Sequence, residues 1–149
     1  MSRFPTFILL LCLAAAPSGA KAGDVLAGPV EAEVIRVVDG DTLAVRAKIW
    51  LGQTVEVDVR LAGIDAPELH GACDGEREAA ARAKDALATL AAGHEVRLSG
   101  IKRDKFGGRV IAHVGNARGQ DFSAALLAQH FARRYDGGKR GAWCEVAAR

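Results

Sequence analysis

The run from Thr54 to Leu61 alternates without a break: Val55, Val57, Val59 and Leu61 fall on one side, Glu56, Asp58 and Arg60 on the other. A period of two over eight residues fits a half-buried strand with a charged outer face and fits no amphipathic helix. Upstream, Val30 to Val38 and Thr42 to Lys48 are β-branched, apolar-rich runs on either side of Asp39-Gly40. They predict two strands joined by a tight turn, because Asp-Gly supplies the positive φ of a type I′ hairpin turn cheaply. Asp41 fits this picture badly. Aspartate is a poor strand former, yet here it opens the returning strand and adds a second carboxylate beside Asp39.

Downstream the period changes. Asp74 to Ala92 is alanine-rich, with Ala79, Ala83, Ala86, Leu87 and Leu90 at helical spacing, Asp74 as candidate N-cap and Gly93 just past the end. His94 to Leu98 and Arg109 to Val114 read as two further strands joined by a polar, Gly-containing turn. Asp121 to Arg133 predicts a second helix that buries Phe122, Leu126, Leu127 and Phe131. The chain has 149 residues, enough for one domain with a real core and too few for two. Five short strands and two helices in such a unit predict an α+β domain whose sheet curls into a small barrel, an OB-type barrel being one such closure.

The first twenty residues are of another kind. One Arg, an apolar run from Phe7 to Ala16 and the small residues Ser18-Gly19-Ala20 have the order of a secretory signal, and the run is short for a membrane-spanning helix. The expected organisation is a signal peptide over 1–20, a Gly/Pro-containing linker over 21–29 and a domain over 30–149, exported to a periplasm or the extracellular space. Cys12 lies within the signal, and no small residue precedes it as lipoprotein processing would need. Export makes a Cys73–Cys144 disulfide the default reading. It would close a loop of about 70 residues, worth about 4 kcal/mol in the chain-entropy model. Zinc ligation by His70, Cys73 and Cys144 is a rival arrangement, and two free thiols are a third.

A net charge of +2 is too small to mark a nucleic-acid binder by bulk electrostatics, but its distribution is uneven. From Lys102 to Arg149 there are ten Lys/Arg against four Asp/Glu; from Lys21 to Ile101 there are nine against fourteen. Folding can lay such a basic segment beside an acidic, cation-binding one.

Three stretches carry the candidate chemistry: VVDGDTLAV from Val37, VRLAGIDAPEL from Val59, and KRDKFGGRVIAHV from Lys102. Pro67 stiffens the bend that bears Asp65 and Glu68. If the second and third strands are neighbours, Asp41 and Asp65 can converge on one hard cation, completed by a backbone carbonyl and water. An EF-hand is excluded, since no twelve-residue loop with its acidic spacing follows Asp39. Two arginines beside a carboxylate-bound cation suit phosphodiester hydrolysis, because charge grows on the equatorial oxygens and guanidinium can donate to two of them. The four histidines, His70, His94, His113 and His130, are scattered and read as structural or solvent-facing.

VVDGDTLAV, VRLAGIDAPE and RDKFGGRVIA, in that order, resemble the signature stretches of the staphylococcal nuclease-like (thermonuclease) family. The likeness runs from about Val34 to Tyr135. The resemblance implies a five-stranded OB-fold barrel with helices and a calcium-dependent nuclease acting on single-stranded DNA and RNA, which leaves 3′-phosphate ends. By the same resemblance, Asp41 and Asp65 match calcium ligands, with the Ala66 carbonyl as a third. Glu68 matches the acid that orients or deprotonates water, and Arg60 and Arg109 match the phosphate-binding pair. Asp39 matches an acid behind the calcium site, and Asp104 one that braces the arginine turn.

The departures from the family pattern are local. Phe106 replaces a usual Tyr, Gly108 is an extra residue before Arg109, and the loop after Glu68 is short. The chain ends soon after the second predicted helix, so the family's third helix is expected to be absent and the Cys73–Cys144 link to pin the C-terminal segment in its place. Tyr135 reads as a packing residue or a base or phosphate contact. The expected protein is a monomer without a stable protein partner. The alternatives are a non-catalytic OB-type module that binds nucleic acid or protein, and an exported domain that binds calcium only for stability.

Overall fold

In the computed structural model, which describes residues 24–144, five strands wall a closed barrel and three short ones lie outside that wall. They are β1 (Val25–Leu26), β2 (Val30–Val37), β3 (Thr42–Trp50), β4 (Gln53–Leu61), β5 (Ile64–Asp65), β6 (Glu95–Arg103), β7 (Arg109–Asn116) and β8 (Arg133–Arg134). The helices are α1 (Asp74–Leu90) and α2 (Phe122–Ala128). The expected signal peptide and the first residues of the expected linker lie outside the described residues. No helix among the described residues is long and apolar enough to cross a membrane.

Strands run in the order β1-β6-β2-β3-β4-β7, and β6 pairs with β7 as well, so β2, β3, β4, β6 and β7 close on themselves. All contacts in this wall are antiparallel except β4 with β7. This is the five-stranded α+β barrel of the OB type, with two helices and no third helix among the described residues. The barrel fills with the inward positions of alternating strands, Val34, Leu43, Val45, Val59, Leu61, Val96, Leu98 and Val114, closed by Leu87 of α1 and Phe122 and Leu126 of α2. The stretch expected to be linker includes β1, which adds to the outer half of β6.

Three local expectations are corrected. Neither Asp39 nor Gly40 has positive φ, so the Asp-Gly turn is not type I′. Its backbone is held instead by the Asp39 carboxylate, whose Oδ1 accepts from the Asp41 N–H at 3.0 Å. Gly40 is needed for space: a Cβ there would lie 2.7 Å from the Ala83 methyl and 2.9 Å from that of Ala66. The α1 N-cap is Cys73, not Asp74, which occupies the first helical turn with Glu76 and still complements the helix dipole there. The buried stripe of α1 is Glu76, Ala80, Ala83 and Leu87, one residue round from part of the predicted face.

The second helix is shorter than the periodicity of Asp121 to Arg133 implies. Asp121 is its N-cap, accepting from Ala124 N–H at 2.7 Å. It stops at Ala128 because His130 takes φ of +59°, a left-handed residue that ends a helix. The chain then extends and pairs β8 with β5, setting Arg133 opposite Asp65 and Arg134 opposite Ile64. That reversal brings the basic C-terminal segment onto the acidic bend.

Candidate active site

Asp41 and Asp65 flank the open end of the β3–β4 hairpin, Asp41 just before β3 and Asp65 just after β4. The backbone carbonyl of Asp41 accepts from Leu61 N–H at 2.8 Å, which seats the Asp39–Asp41 turn on the end of β4. The pairing of Thr42 with Arg60 then places the Arg60 guanidinium between the two acids. Its Nη1 donates to Asp41 Oδ1 at 2.8 Å, its Nη2 to the Ile64 carbonyl at 3.3 Å, and Nη2 lies 3.5 Å from Asp65 Oδ1. One planar fork therefore faces both carboxylates. Arg60 was expected on the charged outer face of its strand, yet it is only 7% exposed, Asp41 3% and Asp65 0%, because the bend after β4 folds over it.

Asp41 is further held by Thr42 Oγ1 at 2.9 Å and by Ala66 N–H, which donates to Oδ2 at 3.1 Å. Burial nonetheless pushes its pKa up to about 6, against the pull of Arg60 and with a further push from Asp39. Asp65 is held from the C-terminal part of the chain. Arg133 donates from Nε and Nη2 to its Oδ2 at 3.2 and 3.0 Å, and the Trp143 indole N–H donates to the same oxygen at 3.2 Å. Arg140 Nε lies 3.2 Å from Oδ1. That oxygen is nevertheless buried without a hydrogen bond.

Glu68 stands at the rim, its side chain 54% exposed, and is ion-paired to Arg140 Nη1. The loop beneath it wraps around the buried Glu76 of α1, which accepts from Ala72 N–H at 2.9 Å and Glu68 N–H at 3.5 Å. Here Gly71 leaves no room for a Cβ, which would sit 2.4 Å from the Glu76 side chain.

Arg109 makes no hydrogen bond or ion pair with this cluster among the described residues, although its strand runs beside β4. It opens β7 in register with Asp58, while Arg60 pairs with Ile111. Among the described contacts its partners are Asp104, whose Oδ2 accepts from Nε at 2.5 Å, and the Phe106 ring, 4.9 Å from the guanidinium carbon. Asp104 also accepts from Lys105 N–H at 2.6 Å. Burial disfavours its ionised form, but the hydrogen bonds from Arg109 and Lys105 outweigh that and hold the carboxyl below its ordinary range. Gly108, the extra residue, takes φ of +78° in this turn.

Cys73 and Cys144 are joined as a disulfide. Their sulfurs lie beside Glu76, but a disulfide sulfur is not a thiolate ligand, so the zinc alternative fails. All four histidines are exposed and none touches the acids. The Tyr135 hydroxyl donates to the Gly138 carbonyl at 2.8 Å within its own turn.

Arg133, Arg140, Trp143 and Glu76 were missed from sequence. The only signal for the first two was the basic bias of the chain after Lys102. No curated protein matches the chain. The family model described as staphylococcal nuclease homologue matches residues 58–142, from the middle of β4 through the acidic bend, both helices and the arginines that close on Asp65. With its five-stranded barrel and two helices, the chain belongs to the staphylococcal nuclease homologue family.

Proposed function

We propose that this protein is an exported, calcium-dependent nuclease that hydrolyses phosphodiester bonds of single-stranded DNA, RNA or both, leaving 3′-phosphate ends. The observation that carries the reading is the buried group of Asp41, Arg60 and Asp65 with Glu68 at its open edge. Three charged side chains less than a tenth exposed are costly to keep in a fold, and such groups concentrate where chemistry is done.

The donor set fits a hard cation. Two buried carboxylates converge on one guanidinium, and Asp65 Oδ1 is a buried oxygen with no hydrogen-bond partner; calcium takes oxygen ligands of this kind. Asp41 and Asp65, with the Ala66 carbonyl, would hold it. Bound there, the ion supplies Lewis-acid stabilisation of a phosphoryl oxygen. The remaining roles belong to side chains. Glu68 orients or deprotonates the attacking water from the rim. Arg60 and Arg109 take the charge that grows on the equatorial oxygens, with Asp39 bracing the Asp41 turn and Asp104 the Arg109 turn. Export rests on the N-terminal sequence alone.

The test is incubation of the purified protein with single-stranded DNA and with RNA, in calcium, in magnesium and in chelator, beside Glu68→Gln and Arg60→Ala. Calcium-dependent cleavage lost in both variants is the expected result. No cleavage, with calcium still raising the melting temperature, would instead make this a domain that binds calcium only for stability.

A further inference from the structure

The segment from Tyr135 to Cys144 crosses the acidic bend and is anchored on both sides of Arg140. Before it, Tyr135 N–H donates to the Gly63 carbonyl at 3.0 Å, and a turn through Gly137 and Gly138, both at positive φ, redirects the chain. After it, Arg133 holds the carbonyls of Gly141 and Ala142. Arg133 also stacks on the Trp143 ring at 4.1 Å, and Cys144 is bonded to Cys73 at the start of α1. Arg140 is thus presented by a strap and cannot withdraw without breaking several of these contacts.

Its charge is more than the buried acids require. Arg60 is committed to Asp41, and Arg133 already gives Asp65 two hydrogen bonds. Arg140 adds a third cation near Asp65 and reaches outward to Glu68. Of its five N–H donors, these two contacts engage only Nε and Nη1, and 36% of the side chain faces solvent beside Glu68. Guanidinium donors that no described residue engages, at the mouth of an acid-lined site, are suited to a phosphate oxygen.

We propose that the disulfide-held strap delivers Arg140 as a further phosphate-binding residue, one that contacts a backbone phosphate of the nucleic acid while its other edge holds Glu68. This rests on the nuclease reading for its substrate, but the contact itself needs no metal.

The experiment measures binding of a twelve-nucleotide oligothymidylate to the purified protein in chelator, across 50 to 200 mM salt. The proteins are the wild type, Arg140→Ala, Arg140→Lys and the double variant Cys73→Ser/Cys144→Ser, with melting temperatures alongside. One phosphate contact to a single strand contributes about 0.7 to the slope of log K against log salt. Arg140→Ala should lose that increment, so the wild type should weaken about 2.5-fold more than the variant across this fourfold range. Arg140→Lys should keep it, because a point charge suffices for counterion release, and the cysteine double variant should lose it with the strap.

In calcium, Arg140→Ala should raise KM on the order of tenfold, the worth of a charge-assisted hydrogen bond, with a smaller change in kcat. An unchanged slope in Arg140→Ala, an alanine-like slope in Arg140→Lys, or no binding by the wild type at 50 mM salt each overturns the phosphate contact. A cysteine double variant with the full slope overturns the role of the strap. If the wild type does not cut in calcium yet the slope falls in Arg140→Ala, the nuclease reading fails and the phosphate site stands. If it cuts and the slope does not change, the reverse holds.

Discussion

Arg60 Nη1 donates to Asp41 Oδ1 across 2.8 Å, with the two side chains 8% and 5% exposed, and the same guanidinium reaches toward Asp65. The pair therefore welds the end of β4 to the turn before β3. Removing one partner of a buried pair leaves an unpaired charge, which typically costs about 3–5 kcal/mol. Arg60→Ala should lose stability of that order in urea and, with calcium and substrate, at least about 10²-fold in turnover. Arg60→Lys should recover part of the stability and little of the turnover, since an ammonium cannot face both carboxylates with one fork.

A pH dependence follows from the raised pKa of Asp41. In the folded state the carboxyl titrates near 6 against 3.8 when unfolded, so between those values the folded protein holds the extra proton. Stability from this group is full below about pH 4, falls as pH rises, and by pH 7 is lower by about 3 kcal/mol. Melting in chelator should show the Asp41→Asn variant gaining on the wild type from pH 4 to pH 6 and then levelling. A constant difference across that range would refute the assignment.

Gly40 tests the fit of the turn against α1. Gly40→Ala puts a methyl group 2.7 Å from Ala83 Cβ and 2.9 Å from Ala66 Cβ, closer than real Cβ atoms approach. Overpacking of this kind costs about 1–3 kcal/mol. It should also displace Asp41, so kcat should fall with stability. Adding Ala83→Gly should restore part of the kcat, with helix stability reduced by about 1 kcal/mol; a double-mutant cycle reads the coupling.

Glu76 supports the Glu68 loop from below. Glu76→Ala leaves the N–H groups of Ala72 and Glu68 without their acceptor, at a cost of about 1–3 kcal/mol. Amide exchange at Ala72 should accelerate, and kcat should fall further than KM rises because Glu68 loses its support. Glu76→Gln keeps one acceptor oxygen but sets its amide NH2 against the other N–H, so it should recover only part of both.

The Cys73–Cys144 bond spans 71 residues, so its loss should cost about 4 kcal/mol in the chain-entropy model. Urea melts of the double serine variant, at neutral pH with and without reductant, check this; reductant should lower the wild type to the level of the variant and leave the variant unchanged.

Most of the barrel was legible because its cause is local. Thr54 to Leu61 declares its strand through alternation, α1 through alanine content and helical spacing, and the start of α2 through the Asp121 cap. Asp41 was legible as an anomaly: a carboxylate where a strand should begin. The end of α2 was not legible, because residues after Ala128 keep a helical pattern while the left-handed His130 and the pairing of β8 with β5 take the chain elsewhere. Gly40 is constrained by the space left by Ala83 and Ala66, not by the sign of its φ, and no turn pattern encodes such a packing limit.

By itself, then, the sequence determined the strands, the barrel class and the residue types available for chemistry, because period, capping and turn composition act over a few neighbouring residues. Tertiary structure alone decided that Arg60 is buried and that Arg133, Arg140 and Trp143 close on Asp65. Those partners lie 68 to 78 residues from Asp65 along the chain. Burial and charge pairing at such separations depend on where the whole barrel sets each side chain, which no local pattern encodes.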